Sequence, residues 1–82
     1  MNRTILVAAL LVVSGCSAAA RDAEEEFRFL QSKDAPASEL CAAASRARDE
    51  WAKEQNSSKY DEWKFSAEVH CLNATTERMV RQ

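Results

Sequence analysis

Among the side chains that could do covalent or metal chemistry, Cys16, Cys41, His70 and Cys71 stand out by type and spacing. A Cys next to a His suggests an activated thiol or a metal ligand pair. A structural zinc site takes four ligands, whereas Cys41, His70 and Cys71 supply three, two of them adjacent in sequence. A thiol nucleophile needs a free, low-pKa cysteine beside a base, and no Ser, His and Asp set or Gly-rich loop accompanies this one. We therefore expect no enzyme, no catalytic residue, no metal, no bound cofactor and no small-molecule substrate. The cysteines have another use, which depends on where the chain goes.

Arg3 is the only cationic side chain in the first four residues, and nine apolar residues, Ile5 to Val13, follow it. A spanning helix needs about 20 apolar residues, and a secretory leader roughly 7 to 15, so the block fits a signal peptide. It ends in Val13-Ser14-Gly15-Cys16, which resembles the bacterial lipobox: small residues before a cysteine that is acylated and becomes the first residue of the mature chain. That resemblance implies a bacterial lipoprotein with a signal peptide at 1–15, a lipidated tether at 16–21 and a domain at 22–82. It also implies a covalent lipid such as palmitate on Cys16 and a membrane partner. Ser17 after the acylated cysteine points to the outer membrane, facing the periplasm. The alternative is an ordinary leader cut after Ala20, because Ala18-Ala19-Ala20 also satisfies the small-x-small rule. That route would release a freely secreted helical disulfide peptide, a toxin or effector.

Under either route the domain enters an oxidising compartment, where Cys41 and Cys71 are the thiols left to pair. Their mean position is 56, inside the turn-forming run Asn56-Ser57-Ser58. In an antiparallel helical hairpin, arms of equal length set the two cysteines side by side. The expected staple closes a loop of about 30 residues, worth roughly 3 to 4 kcal/mol in the chain-entropy account.

The elements that must position these cysteines read as helices. One Gly and one Pro in 82 residues leave little support for turn-rich β folds. In the first segment Ala23, Phe27 and Leu30 share a face, with Glu24, Glu25 and Glu26 in what reads as a solvated first turn or an acidic docking patch. That segment stops before Asp34-Ala35-Pro36. Ser38 reads as the N-cap of a helix running from Glu39 to about Gln55, whose inner face carries Leu40, Ala44, Ala47 and Trp51. From Lys59 onward two patterns compete. Trp63, Phe65, Ala67, Val69 and Cys71 alternate as in a strand, while Tyr60, Trp63, Ala67, Cys71 and Ala74 form a helical stripe and Phe65, Val69, Leu72 and Met79 form a second. A strand would break the cysteine register, because it rises about 3.3 Å per residue against about 1.5 Å for helix. The expected fold is all-α, a small disulfide-clamped antiparallel helical hairpin with a shorter N-terminal helix.

Without its leader the chain would lose Arg3, leaving 10 cationic against 13 acidic side chains, and it has no basic cluster. Nucleic acid is therefore not an expected partner. Trp51, Tyr60 and Trp63 gather at the expected hairpin turn; they either close the core there or stand exposed as candidate contacts for a partner. The expected function is that of a lipid-anchored envelope protein working through contact with another envelope protein, as an accessory, inhibitory or exclusion-type factor.

Overall fold

Alanine sets how closely the helices approach. The computed structural model describes residues 18–81, which form α1 over 18–32, α2 over Ala37–Lys53 and α3 over Ser57–Arg81. No strand occurs among the described residues. Ala20 and Ala23 of α1, Ala43, Ala44 and Ala47 of α2, and Ala67 of α3 are all buried, and Phe27, Trp51 and Trp63 fill the space between them. With methyl groups at the contact lines, α2 and α3 come close enough for Cys41 and Cys71 to have Cα atoms 4.6 Å apart and to form a disulfide. The fold is a disulfide-clamped antiparallel hairpin of α2 and α3 with the shorter α1 packed against it. The lipobox, Val13 to Cys16, lies outside the described residues.

The competition in the last segment resolves as helix. Along α3, Trp63, Ala67 and Ala74 face inward, while Phe65 and Val69 point out. The alternating apolar residues thus divide between two faces of one helix, as four-residue spacing requires.

Three boundaries differ from expectation. Residues 18–21, expected to be tether, are helical, and Ala20 is 0% exposed in the core. The reason is that Ala18-Ala19-Ala20 is a strong helix-forming run whose last methyl has a pocket to fill. Ser38 is not the N-cap of α2: Pro36 holds that position with φ −59° and ψ 153°, and no side chain caps the end. The Pro36 carbonyl accepts from the amides of Glu39 at 3.0 Å and Leu40 at 3.2 Å, which draws Ser38 into the first turn. At the other end α2 stops at Lys53, two residues early, because Gln55 turns left-handed with φ 57°.

Both connections use the same device. Asp34, with φ 55°, donates to the Gln31 carbonyl while Ala35 reaches back to Leu30. Likewise Gln55 donates to Ala52 and Asn56 to Trp51. These are Schellman closures, which favour Gly in the left-handed position. Here Asp and Gln occupy it. Asn56 then serves twice: its Oδ1 accepts from the Lys59 amide at 3.0 Å, capping the start of α3.

Candidate functional site: a carboxylate shared by two indoles

Helical phase brings Glu24 inward. It lies four residues after Ala20 and three before Phe27, so it shares their face and is 6% exposed. Its Oε2 accepts from Trp51 Nε1 at 2.7 Å and from Trp63 Nε1 at 2.9 Å. Lys59 Nζ stands 3.3 Å from the same oxygen, and Arg28 reaches Oε1 at 3.6 Å. One side chain of α1 thereby joins the C-terminal part of α2 to the N-terminal part of α3. Burial is the largest single influence on this carboxyl and pushes its pKa up. The hydrogen bonds from Trp63, Trp51 and Lys59, with the Lys59 charge, together outweigh burial and hold it below the ordinary value of 4.5. Lys59 also lies 5.6 Å from the Trp51 ring centroid, a cation over an aromatic face.

The acidic run therefore divides into three roles. Glu24 is a buried clasp, Glu25 is exposed, and Glu26 pairs with Arg46 of α2 at 2.7 Å on the surface. The expectation of a solvated cap or docking patch is corrected at Glu24. The signal that could have found it is its place between Ala20 and Phe27 on the apolar face.

Of the candidate partner contacts, Trp51 and Trp63 are 7% and 5% exposed. They close the core at the hairpin end. Tyr60 is half-buried and borders an open apolar depression with Ala52, Gln55 and Asn56 at the turn. His70 packs on Phe27, ring centroids 5.1 Å apart, and Phe27 packs edge-on to Trp63 at the same separation. Cys41 and Cys71 are bonded to each other, and no group of three His, Cys, Asp or Glu side chains converges on one point among the described residues. What the arrangement does chemically is hold three helices in one register.

The apolar surface lies elsewhere. Phe65, Val69, Leu72 and Met79 of α3 are exposed on the face opposite the core, and Phe29 is exposed on α1. No family model matches the chain, and no curated protein or solved structure matches it either.

Proposed function

We propose that the protein is a lipid-anchored lipoprotein of the bacterial cell envelope that acts by protein-protein contact, as an accessory, inhibitory or exclusion-type factor. The observation that carries this reading is Val13-Ser14-Gly15-Cys16 directly after an apolar leader. Two or three acyl chains on Cys16, each buried CH₂ contributing about 0.8 kcal/mol, would make a stable anchor without a spanning helix. Among the described residues no helix is long and apolar enough to cross a membrane.

The buried Ala20 supports a cut before Cys16 over a cut after Ala20. The second cut would remove the helical residues 18–20 and take a fully buried methyl out of the core. A cut before Cys16 keeps every described residue of α1, with the lipid two residues ahead of residue 18 in the sequence. Ser17 fits release to the outer membrane.

Palmitate labelling of cells expressing the full chain tests the proposal. Label is expected on the wild type and absent from Cys16→Ser, with the wild type sedimenting with membranes. An unlabelled protein whose mature chain starts at Arg21 would replace the anchored reading with the secreted one.

A further inference from the structure

The outer face of α3 carries Phe65, Val69, Leu72, Thr76 and Met79, at intervals of four, three, four and three residues. This is the spacing of a two-helix seam, with Val69 and Thr76 at the a positions and Phe65, Leu72 and Met79 at the d positions. Phe65, Leu72 and Met79 are each about two-thirds exposed, at 69%, 66% and 70%. The core of the same helix, Trp63, Ala67 and Ala74, falls at b and f, so the seam lies outside the buried core.

We propose that this face pairs with the same face of a second copy, α3 beside α3 and parallel, in the membrane plane. Three observations select that occupant. A β-branched residue at a with Leu at d is the combination that favours parallel two-stranded pairing, and Val69 with Leu72 supplies it. In that register the flanking g and e′ positions pair Asp61 with Ser66, Glu68 with Asn73 and Thr75 with Val80. Between Phe65 and Met79 no like charges meet at these flanks, although the chain as a whole is acidic; Glu62, at the a position before Phe65, would face its own copy and bounds the seam there. Finally, the contacts of Glu24 with Trp51 and Lys59 place the N-terminal part of the described α1 beside the α2-to-α3 turn, at one end of the bundle. Two copies anchored through Cys16 therefore carry their α3 helices in the same direction.

The seam spans about 21 Å at about 1.5 Å per residue. A face that short covers less than the roughly 800 Å² per partner of a free-standing dimer, so confinement to a membrane must raise the effective concentration. The direction of pairing and this confinement rest on the lipoprotein reading. The seam itself does not.

Thr76→Cys in the full chain, in native membranes under mild oxidation, tests the pairing, because a parallel dyad brings identical a positions together. A disulfide between the two introduced thiols is expected, with most of the protein running as a dimer on non-reducing gels. Lys64→Cys, at an outward c position, should remain at least tenfold less linked, and adding Leu72→Glu to Thr76→Cys should abolish the link. Monomer at Thr76→Cys in a palmitate-labelled membrane fraction would overturn the pairing while leaving the anchor intact. A link to a species of different mass would overturn it in favour of a foreign partner. A dimer linked through Thr76→Cys without palmitate label would uphold the seam and remove the anchor.

Discussion

Glu24 holds the helices together through two indole N–H groups that have no other hydrogen-bond partner among the described residues. Both tryptophans of the chain donate their indole N–H to it, and both rings are buried. Replacing Glu24 with Ala would leave two buried donors unpaired, at about 1–3 kcal/mol each. We expect Glu24→Ala to lower unfolding free energy by about 2 to 5 kcal/mol, read from urea denaturation. A native-like midpoint would show that the indoles find other acceptors. The same carboxyl sets an acid limit. Its folded pKa lies below the ordinary 4.5, so its contribution to stability is full above that value and is lost as pH falls through the folded pKa. Tryptophan emission should accordingly hold steady above the ordinary value and shift to the red below it, a transition that Glu24→Gln should blunt. The turn offers the opposite change. Gln55 has φ 57°, where a side chain costs energy and Gly does not, so Gln55→Gly should raise stability by about 0.5–1 kcal/mol in thermal melts.

Among the elements, the hairpin of α2 and α3 depends most on the clamp. Its contact faces are lined by alanines, which bury little area each, and the disulfide closes a loop of 30 residues. Cys41→Ser with Cys71→Ser should cost about 3 to 4 kcal/mol. A domain this small has only several kcal/mol to lose, so circular dichroism at 37 °C should show substantial loss of helix. Full retention would mean that the hairpin of α2 and α3 folds unaided. This part of the fold was legible because the register is a matter of counting: positions 41 and 71 are equally far from 56, and with the first arm helical only a helical second arm brings them together. The inner stripes of α2 and α3 were legible from their spacing for the same reason. Helix ends were less so, since Pro36 and Ser38 both suit an N-terminus and the choice depended on which carbonyl meets the amides of Glu39 and Leu40. Glu24 was missed because residue type argues for solvent, and only the tertiary arrangement supplies the two indole donors that outweigh its burial.

At the scale of the molecule, processing and folding place demands on the same residues. Ala18-Ala19-Ala20 reads in the sequence as a cleavage site and folds as part of α1, with Ala20 fully buried. A chain cut there would start at Arg21, three residues before Glu24. The clasp would then stand within the first turn of its helix, where amides lack intrahelical acceptors and the end frays. A chain starting at residue 16 keeps the helical residues 18–20 ahead of Arg21, so the carboxylate is fixed by backbone as well as by its donors. We therefore expect the mature domain starting at residue 16, with Cys16→Ser, to be more stable than one starting at Arg21. The difference should be about 1 to 2 kcal/mol, from lost apolar burial and fraying. Hydrogen exchange should locate the loss at the amides of α1 and at the indole N–H groups of Trp51 and Trp63, with the clamped part of α3 unaffected. Equal stability of the two forms would mean that the residues ahead of Arg21 add nothing to the fold, and the structural preference for a cut before Cys16 would disappear with it.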